Sequence, residues 1–206
     1  MRYTPTKEAN KWVTRTCSGN GNLGIDDQSQ FKSAVEMLED ASTWSNPMLN
    51  HIVLTGATAD TYKRFIERLS DSIRSPARKH WKSAIEVDTH KGFHCHLMLL
   101  LSSDHHERLL GEADNSTLNR IIREIQATVP TFNAMRVQPK RHDTPYIPID
   151  DSTFDDAAEW MSYIFKVRSK PLGGGSCYGS SRSRRTCTAH RQARSVKPIC
   201  ASEIEF

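Results

Sequence analysis

The chain has 206 residues, of which 37% are hydrophobic and 25% are charged, and its formal net charge is +4. This length and composition are sufficient for one globular domain with flanking segments, and they exclude a fibrous protein. No apolar run approaches the roughly 20 residues that a membrane span requires, and the N-terminal MRYTPTKEANKWV lacks the apolar stretch of a signal peptide. We therefore expect a cytoplasmic protein with no membrane partner.

The charge is unevenly distributed along the chain. Residues 169–206 contain seven Lys or Arg and two Glu, which leaves residues 1–168 with 21 basic (28 − 7) and 22 acidic (24 − 2) side chains. The segment 171–206 is rich in Gly, Ser and Arg, so we predict a basic, disordered tail that binds a polyanion or only aids solubility. Before it we predict an N-terminal extension with one helix over 1–45 and a folded domain over 46–170.

The cysteines occur at irregular spacing and their number is odd, which favours free thiols over a disulfide framework. They are Cys17, Cys95, Cys177, Cys187 and Cys200. A zinc site that uses the tail cysteines and His190 is an alternative, although their spacings fit no common zinc ribbon.

Helices are indicated by apolar residues at three-to-four spacing after a capping side chain, and strands by short β-branched runs that end at turn residues. No element is assigned within residues 1–25. In chain order, the predicted elements are a helix over 26–41, a strand over 51–56, a helix over 62–73, a hairpin of strands over 81–88 and 93–101, a helix over 115–129, strands over 131–139 and 146–149, and a helix over 151–169. This order favours an α+β fold with a central antiparallel sheet flanked by helices.

The strand within KGFHCHLMLLL, residues 91–101, carries two histidines two positions apart. Because side chains alternate across a strand, His94 and His96 share one face, about 7 Å apart, where both can bind one cation. Histidines satisfied by ordinary hydrogen bonds, or a structural zinc site, are the alternatives. Cys95 points to the opposite face, which argues against zinc.

The hairpin supplies a carboxylate to the same place. With its turn centred near His90, Glu86 falls opposite His94 and beside both imidazoles. Two nitrogens and one oxygen form a half-shell with open positions, and Mg²⁺ or Mn²⁺ is the ion that we expect. A register shift of two residues would bring Asp88 or His90 in place of Glu86.

The last predicted helix carries a tyrosine away from its apolar stripe. Tyr163 lies about 160° from the stripe centred on Met161, with Glu159 and Lys166 beside it. A phenol in this setting can act as a covalent nucleophile, with Lys166 neutralising charge and Glu159 taking or returning a proton. The alternative is an ordinary amphipathic helix with a half-exposed tyrosine.

These motifs occur in a familiar order: HIVLTG, then His-Cys-His with a glutamate eight residues before its first histidine, then Tyr-X-X-Lys. Over about residues 50–170 the chain resembles the HUH endonuclease superfamily, specifically the rolling-circle replication initiators of small phages, viruses and plasmids. The resemblance implies an HUH-type sandwich, similar to ferredoxin-like or RRM-like folds, as the domain over 46–170. It implies that His94, His96 and Glu86 bind the metal, that Tyr163 is the nucleophile and that Lys166 supports it.

The reaction implied by this resemblance is the nicking of single-stranded or locally melted origin DNA. Tyr163 would form a 5′-phosphotyrosine and release a 3′-OH, and the strands would later be rejoined. With one tyrosine in the helix, the second transfer must use water, a 3′-OH or another subunit. The chain has no GxxxxGK[ST] loop, so a helicase and a polymerase of a bacterial host are the expected partners.

Three other functions remain open from the sequence. A single-tyrosine transposase or a mobilisation relaxase would share the nicking step, whereas a DNA-binding protein with structural histidines would cut nothing. For DNA binding in any of these, two groups of basic residues can follow phosphates. They are Lys79 and Lys82 in the first group, and Arg136, Lys140 and Arg141 in the second.

Overall fold

The structure, a computed structural model, describes residues 6–8, 11–15, 22–24, 28–74, 78–88, 92–102, 106–165 and 178–181. The strands are β1 (Thr6–Glu8), β2 (Lys11–Arg15), β3 (Asn22–Gly24), β4 (Pro47–Thr55), β5 (Arg78–Asp88), β6 (Gly92–Ser102), β7 (Asn133–Val137), β8 (Ile147–Pro148) and β9 (Tyr178–Ser180). The helices are α1 (Gln28–Ala41), α2 (Ala59–Ser72), α3 (His106–Leu110), α4 (Thr117–Gln126) and α5 (Phe154–Ser162), and α5 continues as a 3₁₀ turn over Tyr163–Phe165.

The main sheet has six strands in the order β7-β4-β6-β5-β9, and β8 pairs with β4 further along the edge that β7 occupies. Every pairing in it is antiparallel. Helices pack on both faces, so the predicted α+β class with a central antiparallel sheet is confirmed. β1, β2 and β3 form a separate three-stranded antiparallel sheet where the Gly-rich sequence predicted no element.

The central strand β6 separates two apolar layers. Met98 and Leu100 face the layer that contains α1 and α5, whereas Leu97 and Leu99 face the layer beneath α2 and α4. All four are almost completely buried. Burying one such side chain stabilises a fold by about 1.5–3 kcal/mol, which explains why this strand is apolar on both faces.

The helices of the second layer begin at polar side chains. Thr58 caps α2 by accepting from Thr61 N, and Ser116 caps α4 by accepting from Asn119 N at 3.2 Å. Of the two caps that the sequence allows for α4, Asn115 and Ser116, the structure uses Ser116. Within the described residues, no helix combines the length and the apolar character that crossing a membrane demands.

α1 belongs to the same core as the rest of the domain. Phe31 and Leu38 are fully buried, and the Phe31 ring lies 5.7 Å from that of Phe165. The predicted boundary at residue 45 therefore does not separate two cores, because α1 is amphipathic and its apolar face needs the sheet and α5 to cover it.

Part of the predicted disordered tail is a strand. β9 pairs with β5, and the Tyr178 ring stacks at 5.6 Å on Phe165. The prediction of disorder over 171–206 is therefore wrong for residues 178–181, since an edge strand gains hydrogen bonds and one aromatic contact that composition does not reveal. The rest of this segment lies outside the described residues, as do Cys17, Cys177, Cys187, Cys200 and His190.

The last helix begins later than predicted. α5 begins at Phe154 after Thr153, not at Asp151 or Ser152, because the Asp150 carboxylate accepts from Ser152 N and Thr153 N and so forms a turn before the helix. At its other end the helix tightens into the 3₁₀ turn at Tyr163.

Candidate metal centre

The hairpin of β5 and β6 has the predicted register. The two strands pair continuously from Arg78 opposite Ser102 to Asp88 opposite Gly92, which places Glu86 directly opposite His94. The backbone of Asp88 pairs with Gly92, two residues from the position opposite His94, and His90 lies outside the described residues. Gly92 has φ +66°, a conformation that glycine adopts readily as the chain re-enters the sheet.

Glu86, His94 and His96 form one compact group. Glu86 Oε2 lies 3.7 Å from His94 Nε2 and 3.5 Å from His96 Nε2. The three candidate ligand atoms all lie within 4.8 Å of one another. The three residues are only 7%, 4% and 6% exposed, in that order. Three polar groups on the buried face of a sheet are costly to desolvate unless they interact with one another or with a cation.

The geometry of the group fits a metal ion. Two ligand atoms at about 2.1 Å from one ion lie about 3.0 Å apart at a right angle and about 3.4 Å apart at a tetrahedral angle. The observed separations of 3.5 and 3.7 Å are close to the tetrahedral value and exceed the right-angle value by about half an ångström or slightly more. His94 Nδ1 donates to the Gly92 carbonyl at 3.1 Å, so in the neutral ring the lone pair is on Nε2, the atom beside Glu86. Glu86, His94 and His96 can therefore hold a metal ion.

Cys95 lies on the opposite face of β6, as predicted. It is a buried thiol that packs among the residues beneath α2 and α4. Among the described residues, the candidate ligands in this group are thus two nitrogens and one carboxylate oxygen, a set that several divalent ions accept.

The prediction missed a third histidine. His51 Nε2 lies 2.8 Å from His96 Nδ1, a hydrogen bond between two buried rings. Burial, and then the nearby charge of His96, lower the pKa of His51 from 6.5 to about 3, while Glu86 opposes the shift, so this ring is neutral at neutral pH. His51 opens the predicted strand HIVLTG. The sequence pattern indicates which residues of this strand share a face with His51. It does not indicate which strand pairs beside it.

Tyr163 lies against the same group. Its ring centroid is 5.1 Å from that of His96 and 5.8 Å from that of His51, and its side chain is 42% exposed. Tyr163 therefore lies away from the apolar stripe of the helix, and the structure brings its ring beside the imidazoles of His96 and His51. Lys166, predicted to support it, lies outside the described residues.

Glu159 is ion-paired with a residue that was predicted for another role. Its Oε2 lies 3.6 Å from Arg141 Nη1, and the same nitrogen lies 3.8 Å from Asp156 Oδ1. Glu159 and Arg141 were predicted for separate roles, in proton transfer and in DNA binding, yet they form one ion pair between α5 and the loop before β8. Such pairs near a surface typically contribute about 0–1 kcal/mol.

Three of the five predicted DNA-binding side chains donate hydrogen bonds to oxygen atoms of the protein itself. Lys82 is 2% exposed and donates to Gln30 Oε1 at 2.8 Å. Lys79 Nζ donates to the carbonyls of Ser70 and Ile73 at the end of α2. These two predictions are corrected, because both ammonium groups already bind oxygen atoms of the protein.

The second basic group has one half-buried member and two exposed ones. Arg136 Nη1 donates to the Leu110 carbonyl at 2.7 Å, so this half-buried guanidinium also serves the fold and that prediction is corrected. Lys140 and Arg141 are exposed. Charge identifies basic residues in a sequence, but only packing decides which of them reach the surface.

Comparisons of the chain with protein-family models, with curated proteins and with solved structures give no match. The class that the fold and site define is therefore a coarse one: an α+β protein with a buried His-His-Glu group that can hold a metal ion, next to an exposed tyrosine. Any more particular assignment depends on chemistry argued from these residues.

Proposed function

We propose that this protein is a metal-dependent endonuclease that nicks single-stranded DNA by forming a covalent bond to Tyr163, the step that initiates rolling-circle replication. One observation carries the proposal. The exposed phenol of Tyr163 lies 5.1 Å, ring to ring, from His96, which belongs to the only group of potential metal ligands among the described residues. A nucleophile beside a site for a divalent cation is the arrangement that phosphoryl transfer needs.

Each residue has a defined part in this chemistry. Glu86, His94 and His96 would hold Mg²⁺ or Mn²⁺, which when bound stabilises negative charge on a phosphate oxygen. Tyr163 Oη attacks phosphorus, so that an O–P bond forms and the bond from phosphorus to the 3′ oxygen breaks. The phenol loses one proton and the departing 3′ oxygen gains one, which leaves a 5′-phosphotyrosine and a 3′-OH.

Tyr163 is also suited to the reverse step. Because the phosphotyrosine bond stores the energy of the cleaved diester, a 3′-OH that attacks it restores a DNA strand and releases the phenol. The partial exposure of Tyr163 leaves room for a DNA backbone, whereas the buried imidazoles are shielded from bulk water. Lys140 and Arg141, exposed on the loop before β8, are the basic side chains that we expect to contact DNA phosphates.

The test is the detection of a covalent adduct with the correct polarity. The protein is incubated with Mn²⁺ and a pool of single-stranded oligonucleotides of randomised sequence, labelled at the 5′ end in one sample and at the 3′ end in another. We expect the 3′ label to migrate with the protein on a denaturing gel and the 5′ label to be released. Peptide mapping should locate the nucleotide on Tyr163.

Two controls make the test specific. Tyr163→Phe keeps the ring and its packing but should form no adduct, whereas Tyr146→Phe, a change at a tyrosine that packs on His106, should form as much as the wild type. Chelation of the metal should abolish the adduct. An adduct that persists in Tyr163→Phe, or cleavage without any adduct, would refute the proposal.

A further inference from the structure

His51 contacts both halves of the proposed active site. Its Nε2 lies 2.8 Å from His96 Nδ1, and its ring lies 5.6 Å from Trp160 and 5.8 Å from Tyr163. It is 4% exposed.

The hydrogen bond constrains how His96 can bind a cation. A neutral imidazole has one protonated and one bare nitrogen. For His96 Nε2, the atom beside Glu86, to be a ligand, Nδ1 must carry the proton and must donate it. His51 Nε2 lies at hydrogen-bonding distance and can accept this proton, so the bond holds the rotation of the His96 ring that leaves Nε2 beside Glu86.

The aromatic contacts constrain the nucleophile. Trp160 lies edge-on to His51 at an interplanar angle of 81°, and Tyr163, one turn of chain later, is tilted at 51° to the same ring. Tyr163 is at the start of the 3₁₀ turn, where the helix changes its rise and side-chain direction. The rigid ring beneath it therefore limits the positions that the phenol can occupy.

We infer that His51 is a positioning residue that orients the His96 imidazole for metal binding through Nε2 and, together with Trp160, supports the ring of Tyr163. The support of Tyr163 rests on the proposed function, because it matters only if Tyr163 is the nucleophile. The orientation of His96 concerns metal affinity alone. The residue acts through His96 and Tyr163, and it touches neither DNA nor the scissile phosphate in the arrangement proposed.

The test separates the hydrogen bond from the packing. His51→Phe keeps a ring of similar size but has no nitrogen, and His51→Gln places an amide near the former Nε2. We expect the Mn²⁺ dissociation constant, measured by titration calorimetry on the free protein, to rise about 10–100-fold in His51→Phe, with at least partial recovery in His51→Gln. Circular dichroism and thermal unfolding of both variants establish that each is folded.

A matched control comes from the same face of the sheet. His80 is also buried, bonds Asp40 Oδ2 through Nε2 at 2.9 Å and packs against Trp44, but it lies six residues before Glu86 on β5. His80→Phe should therefore cost stability and leave the Mn²⁺ dissociation constant unchanged. Equal weakening in His80→Phe and His51→Phe would mean that the effect is only structural and would overturn the inference.

Trp160→Leu tests the support of the nucleophile. It leaves the bond between His51 and His96 intact, so we expect an unchanged Mn²⁺ dissociation constant but adduct formation that is slower by up to about 100-fold, as misplacement of a reacting group by an ångström can cause. Adduct formation at the wild-type rate in this variant would overturn that half of the inference.

A structural readout decides the tautomer directly. With Zn²⁺ as a diamagnetic probe, the Nδ1 proton of His96 should give a resolved, slowly exchanging NMR signal in the wild type that His51→Phe loses. If His51→Phe weakens Mn²⁺ binding but the wild type forms no DNA adduct, the proposed function fails and the role of His51 toward the metal stands. If adducts form and His51→Phe binds Mn²⁺ as tightly as the wild type, the inference fails and the function stands.

Discussion

Binding of a divalent cation should stabilise the fold by an amount that can be calculated. The three ligand atoms already lie within 4.8 Å of one another on two strands whose register is set by a continuous ladder, so binding requires little rearrangement of the backbone. A ligand that binds only the folded state adds about 2.7 kcal/mol at a concentration one hundred times its Kd. For a chain of 206 residues, each kcal/mol raises the Tm by about 2–4 °C, which gives a shift of about 5–11 °C.

The assay is thermal unfolding of the chelator-treated protein at pH 7.5 across a titration with Mn²⁺. Glu86→Gln is the matched variant, since it preserves the size of the side chain but removes its negative charge, and we expect it to lose most of the shift. The effect should also weaken on acidification, because an imidazole must be neutral to bind a metal. A wild type with no shift, or an equal shift in Glu86→Gln, would refute the assignment of these residues as a metal site.

Three further predictions follow from the same structure. His94→Ala and His96→Ala should each reduce adduct formation more than about 100-fold while fluorescence anisotropy shows nearly unchanged DNA binding; normal cleavage in both would contradict the metal assignment. Gly56→Ala should destabilise the fold by at least about 2 kcal/mol in urea unfolding, because Gly56 has φ +72° and an added Cβ would overlap the Thr131 carbonyl; wild-type stability would contradict this. Burial lowers the pKa of His106 from 6.5, so the unfolded chain binds a proton that the folded chain does not, and stability should fall as pH drops below about 6.5. His106→Gln should weaken this pH dependence, and an unchanged slope between pH 7 and 5 would contradict it.

Much of the candidate site could be predicted from local patterns: strand alternation, hairpin register and helix periodicity. The alternation of side chains put His94 and His96 on one face, and the tight connection between β5 and β6 put Glu86 opposite His94. Helix periodicity put Tyr163 outside the apolar stripe, where it is indeed exposed. Each of these relations joins residues within about one hairpin or one helix, so the chain between them leaves few alternatives.

Burial of charge could not be predicted in this way. Lys79, Lys82 and Arg136 cannot be distinguished by charge from Lys140 and Arg141, yet the first three are buried or half-buried and the last two are exposed. Whether a long basic side chain reaches solvent depends on which helix packs over its strand. That is a contact between segments distant in sequence, and no local pattern encodes it.

The sequence by itself determined the pairing of a carboxylate with two imidazoles, because a hairpin is a local structure whose register follows from its turn and its side-chain alternation. Only the tertiary structure decided that β4 lies beside β6, which brings His51 to His96, and that α5 packs on the same face, which brings Tyr163 there. The physical reason is that strand order and helix docking are selected by burial of the whole apolar surface, a property of the complete chain.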